Sequence, residues 1–95
     1  MFDDEVLTGG SMMEAVRILK DKGANRILAG CTHGVFSGQA LKLIEDSSLE
    51  LFATTNTIPL NSKEFTEKIN VLSVSRLFGD AIKAIHHGES VSRLI

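Results

Sequence analysis

The chain has 95 residues, 43% hydrophobic and 23% charged, which is enough for one small domain and unlike a disordered tail. A formal net charge of -2, with no basic run and no basic patch interleaved with aromatics, argues against a nucleic-acid partner. No apolar run approaches the roughly 20 residues that span a bilayer, no signal-peptide pattern opens the chain, and the single Cys31 cannot form an internal disulfide, so a cytoplasmic, soluble protein is expected.

The chain opens Phe2-Asp3-Asp4-Glu5-Val6-Leu7-Thr8-Gly9-Gly10-Ser11: adjacent carboxylates, then a small hydroxyl- and glycine-rich turn that leads into a helix pattern. Met12, Ala15, Val16 and Leu19 recur at helical spacing, and Gly23 is the stop. Residues 26–32, Arg-Ile-Leu-Ala-Gly-Cys-Thr, read as a short buried strand. Gly34 and Gly38 bracket a loop, and Ala40, Leu41 and Ile44 mark a second helix ending near Glu45. Residues 49–55 form a second strand; Pro59 marks a connection in which Asn61 caps a short helical turn. Residues 71–74 are a third strand. Phe78, Ala81, Ile82 and Ile85, at i, i+3, i+4 and i+7, define a last helix that stops at Gly88, and a short amphipathic tail covers residues 89–95.

Strands alternating with helices through short connectors predict an α/β fold, a parallel sheet with flanking helices and right-handed crossovers. Such sheets bind ligands beyond the carboxyl ends of their strands. Asp3 and Asp4 read as loop residues with almost no strand before them. The sheet is therefore expected to be partial, truncated at its N-terminal side, with strand 26–32 left at an open edge.

The opening segment has the order a sugar phosphate needs. Free N–H groups at a helix start, with the dipole, attract a phosphate, and glycines allow close approach of the backbone. Carboxylates just upstream can accept hydrogen bonds from sugar hydroxyls. An ordinary strand-to-helix connection capped by Ser11 accounts for the same local pattern.

Residues 2–11 resemble the phosphoribosyl-pyrophosphate signature of the type I phosphoribosyltransferase fold. Taken in order, Thr32-His33-Gly34-Val35-Phe36-Ser37-Gly38, Thr55-Asn56-Thr57-Ile58-Pro59, Val71-Leu72-Ser73-Val74-Ser75 and Gly88-Glu89-Ser90-Val91-Ser92 resemble the C-terminal portion of the ribose-phosphate pyrophosphokinase family. The resemblance covers essentially the whole chain, read as the C-terminal part, residues 1–95, of a single phosphoribosyltransferase-type domain. It implies an enzyme of nucleotide biosynthesis that transfers a pyrophosphoryl group from ATP to ribose 5-phosphate, giving phosphoribosyl pyrophosphate and AMP. It further implies Mg2+ as cofactor, with ligands outside these residues, and a homo-oligomer. Asp3 and Asp4 resemble the acidic pair that holds the ribose hydroxyls; Thr8, Gly9, Gly10 and Ser11 resemble the loop that cradles the 5-phosphate. Leu7 departs from the family, whose members usually carry an acid there. Ser90 and Ser92 resemble part of an effector site between subunits.

No catalytic residue is assigned, and no metal site. No lysine- or arginine-rich loop suited to phosphoryl transfer is visible: Arg17 and Arg26 fall in helix and strand frames, and Arg76 and Arg93 have no glycine-rich neighbourhood, so the 95-residue chain alone is expected to be inactive. His33 stands where a functional histidine would, but is read as a loop histidine bonded to backbone. His86 and His87 are neighbours on a helix and do not share a face, which argues against a metal pair. Cys31 is read as an inert core thiol. Two alternatives stay open: a salvage-type phosphoribosyltransferase using the same loop, and a non-catalytic regulatory or oligomerising homologue, which Leu7 favours.

Overall fold

The computed structural model describes residues 1–60 and 66–95. Four strands, β1 (Phe2–Val6), β2 (Leu28–Gly34), β3 (Leu51–Thr55) and β4 (Ile69–Leu72), form one parallel sheet in the order β1-β2-β3-β4. Helix α1 (Gly10–Asp21) joins β1 to β2, α2 (Ala40–Asp46) joins β2 to β3, and α3 (Ser75–His86) follows β4. A 3-10 turn over Val91–Leu94 ends the chain. The cap expected at Asn61 lies outside the described residues.

Parallel strands that pair in sequence order, joined with the usual crossover hand, carry their helices on one face of the sheet. Accordingly α1 and α2 touch each other, and Met12, Val16, Ala40 and Ile44 bury against Ala29, Cys31 and Phe52. Phe52 and Ile44 are fully buried, and the Phe36 ring meets Phe52 edge-on at 5.7 Å between centroids. On the opposite face, Leu28 and Leu72 are exposed, and the Phe2 ring, 91% exposed, lies over Gly30. Among the described residues no helix covers this face.

α1 and α3 end alike. Gly23 (φ 95°) and Gly88 (φ 68°) take the left-handed conformation, and paired bonds close each last turn. These run from Gly23 N–H to Lys20 O with Ala24 N–H to Leu19 O, and from Gly88 N–H to Ile85 O with Glu89 N–H to Ala84 O. Both stops fall at the glycines that the sequence marks for them.

Three expectations are corrected. Asp3 and Asp4 are not loop residues: they lie inside β1, a fourth strand formed by the segment read as a strand remnant. Strand β2 is not an edge, because β1 pairs with it on one side (Phe2 beside Gly30) and β3 on the other (Leu28 beside Leu51). The edges are β1 and β4. His33 lies in β2 and not in a loop. The first two errors had one source. A run of charged residues carries no apolar alternation, so β1 shows no strand periodicity, and the hydrogen-bond ladder to β2 forms it instead.

Helix α3 packs chiefly on the terminal 3-10 turn. Of its residues only Ala84 is buried, while Leu77, Phe78, Ile82 and Ile85 stay exposed. The radius of gyration is 15.9 Å and the long axis 51 Å, where a compact chain of this length has a radius near about 12 Å.

Candidate functional site

At the carboxyl end of β1 the chain leaves the sheet through Leu7, Thr8 and Gly9 and enters α1 at Gly10. Gly9 stands at the helix N-cap with φ 82°, and a side chain there would be strained. No side chain caps α1, its first turn holds no acidic residue, and Met13 N–H donates to Gly9 O at 2.9 Å. The N–H groups of Thr8, Gly9, Gly10, Ser11 and Met12 donate to no group among the described residues. They form a cluster of unspent donors at the positive end of a 12-residue helix.

A cavity of about 280 Å³ opens there, lined by residues 3–12. It is at the small end of ligand pockets, which run from about 300 Å³ upward. The structure thus brings together Asp3, Asp4, Leu7, Thr8, Gly9, Gly10 and Ser11, every residue assigned to the sugar-phosphate site. The Asp4 N–H donates to Asp3 Oδ1 and the Glu5 N–H to Asp4 Oδ1, each at 2.8 Å. The Asp3 carboxyl, hydrogen-bonded to its neighbour, and the Glu5 N–H hold the Asp4 carboxyl below its ordinary pKa. The Asp4 carboxyl therefore stays an acceptor at neutral pH.

The strand ends beside β1 carry a polar network to which the sequence assigned no role. His33 Nδ1 lies 2.8 Å from Thr57 Oγ1, so its partner is a side chain and not backbone. The Thr55 and Thr57 hydroxyls donate to Thr32 O at 2.6 and 3.1 Å. Asn56 Oδ1 accepts from Val74 N–H at 2.9 Å, tying the β3 end to the start of α3. Repeated hydroxyl and amide residues just beyond two predicted strands were the available signal. Ser90 and Ser92 are exposed, with their hydroxyl oxygens 2.7 Å apart. Cys31 is free and buried against Thr54 Oγ1 at 3.5 Å, and burial pushes its thiol pKa up. Among the described residues no three histidine, cysteine or acidic side chains converge as a metal centre requires. No helix there is long and apolar enough to cross a membrane.

Fold and site together define an α/β chain with an anion-receptive turn between its first strand and helix. The whole chain, residues 1–95, matches the phosphoribosyl synthetase-associated domain and belongs to that family. It is 45% identical to the ribose-phosphate pyrophosphokinase of Wolinella succinogenes over 99% of its own length and 30% of that protein. It is 43% identical to ribose-phosphate pyrophosphokinase 2 of Schizosaccharomyces pombe, again over 99% and 30%. The crystal structure of phosphoribosylpyrophosphate synthetase from Mycobacterium smegmatis superposes with a TM-score of 0.89 at 30% identity, covering 92% of this chain and 29% of that one. The chain thus spans about 30% of the length of these relatives. The matches establish the family; the expectation that this portion is the C-terminal one is not borne out by them.

Proposed function

We propose that the β1–α1 turn is the ribose 5-phosphate subsite of a ribose-phosphate pyrophosphokinase with a phosphoribosyltransferase-type fold. One observation carries this reading. Five free N–H donors at a helix start that lacks acidic residues share a small cavity with the carboxyl groups of Asp3 and Asp4. The 5-phosphate takes the N–H groups and the Thr8 and Ser11 hydroxyls; Asp3 and Asp4 accept from the ribose hydroxyls. The relatives' names point to pyrophosphoryl transfer onto a ribose phosphate; the resemblance read from the sequence adds ATP as donor and the sugar's anomeric hydroxyl as acceptor. The described residues do not fit a complete Mg2+ site, because no three histidine, cysteine or acidic side chains converge among them. No step is routed through the ion.

Leu7 is 49% exposed on the cavity wall. It offers neither an acceptor nor a proton, so sugar contacts at this subsite fall to Asp3 and Asp4. A salvage-type transferase would use the same turn, but the relatives named above are pyrophosphokinases or synthetases, which favours the first reading. Because the chain spans about 30% of those relatives, binding without turnover is expected from these 95 residues.

The test is titration of the 15N-labelled chain with inorganic phosphate and with ribose 5-phosphate. Amide shifts at Gly9, Gly10 and Ser11 are expected with both ligands. If those three amides stay unmoved, the phosphate assignment fails.

A further inference from the structure

The site's backbone is held from outside by the turn that follows β2. Three consecutive N–H groups of that turn reach across to the end of β1. Val35 and Phe36 both donate to Val6 O at 3.1 Å, and Ser37 donates to Leu7 O at 2.8 Å. These are the last carbonyls before Thr8. For three successive N–H groups to face one neighbouring strand the turn must curl tightly, and Phe36 does this at φ 51°. It is the one non-glycine residue with positive φ among those described. A bulky residue rarely adopts that conformation and keeps it only where its surroundings impose it.

The surroundings here are visible. Phe36 is buried, its ring edge-on to Phe52 at 5.7 Å. The ring also lies against Gly34, where an added Cβ would stand 2.7 Å from Phe36 Cζ. Gly34 therefore leaves the space that the ring fills. Beyond the turn, Ala40 at the start of α2 lies 3.7 Å from where a Cβ on Gly9 would be, so the same segment also supports the N-cap of α1.

We infer that Phe36 is a positioning residue for the anion turn. Its ring, locked between Gly34 and Phe52, holds the backbone of Val35, Phe36 and Ser37, which in turn sets where residues 7–9 and their free N–H groups lie. The inference rests on the phosphate reading of that turn. Phe36 touches no ligand in this account. It acts through the Val6 and Leu7 carbonyls.

The experiment uses the 95-residue chain and inorganic phosphate, read at the Gly9, Gly10 and Ser11 amides, with hydrogen exchange at Val35, Phe36, Ser37 and Cys31. In Phe36→Ala, phosphate affinity is expected to fall about tenfold, the loss of one or two hydrogen-bond contributions. Exchange should quicken at Ser37 while the strand amide of Cys31 keeps its protection. Phe36→Leu, which retains apolar bulk, recovers part of the affinity and serves where the alanine variant does not fold. Gly34→Ala, which displaces the ring, reproduces the loss. It adds little in the Phe36→Ala background, where only the tight contact with Thr54 Oγ1 at 3.0 Å remains. A purely structural role would lower the melting temperature and leave the affinity of the folded chain unchanged; that outcome overturns the inference alone. A wild-type chain with no phosphate shift overturns the phosphate reading, and this inference with it.

Discussion

Asp3 and Asp4 are neighbours on a strand, so their carboxylates leave the backbone on opposite sides and cannot act as an interchangeable pair. Asp3→Ala is expected to weaken ribose 5-phosphate binding more than inorganic phosphate binding, because only the sugar offers hydroxyls to the lost acceptor. Parallel calorimetric titrations with both ligands decide it, and equal losses would contradict the sugar role. The Asp4 carboxyl titrates below its ordinary value of 3.8. A folded-state pKa below the unfolded one favours the folded chain above pH 3.8, and this contribution disappears as the pH falls through the lower folded value. Carbon-detected NMR titration of the side-chain carboxyls should place Asp4 below an ordinary aspartate, and Asp3→Ala should move it back up. Cys31, buried and with its thiol pKa raised, should resist alkylation in the native chain and react promptly in denaturant.

At the level of elements, the helices divide by how much of their apolar face is used. α1 and α2 bury Met12, Val16, Ala40 and Ile44 against the sheet, whereas α3 buries only Ala84 and exposes Leu77, Phe78, Ile82 and Ile85. Substitution in the two regions should therefore have very different consequences. Phe52→Ala removes a fully buried ring at the centre of β3 and should cost about 3–5 kcal/mol in urea denaturation. Ile82→Lys, on a residue 68% exposed, should stay within about 0.5 kcal/mol. A large loss from Ile82→Lys would mean that α3 packs on the sheet in solution.

For the molecule as a whole, the apolar residues without cover include Phe2, Leu28 and Leu72 on one sheet face and the α3 stripe, and among the described residues β1 and β4 are the sheet's edges. Apolar patches and open edges of this kind drive association. The 95-residue chain is expected to sediment as a dimer or larger species at micromolar concentration and to release no AMP from ATP and ribose 5-phosphate. A stable monomer with sharp two-state melting would overturn the first expectation; measurable AMP would overturn the second. Ile82→Lys should shift the sedimentation equilibrium toward monomer if α3 contributes to the contact.

The sequence by itself determined whatever is local in cause. The periodicity of Met12 and Val16 and of Phe78 and Ile82 marks helices, Gly23 and Gly88 end them through left-handed turns, and the apolar segments around Ala29 and Phe52 are strands. The turn of Thr8, Gly9, Gly10 and Ser11 was legible for the same reason, since a helix start advertises its donors in consecutive residues. Only the tertiary structure decided that Asp3 and Asp4 stand within a strand, because charged residues carry no strand period and the ladder to β2 imposes the conformation. It also decided that β2 is internal, that His33 bonds Thr57, and that Phe36 braces the anion turn from the next loop. Each of these depends on residues 23 or more positions apart meeting across parallel strands, and spacing along the chain holds no record of such contacts.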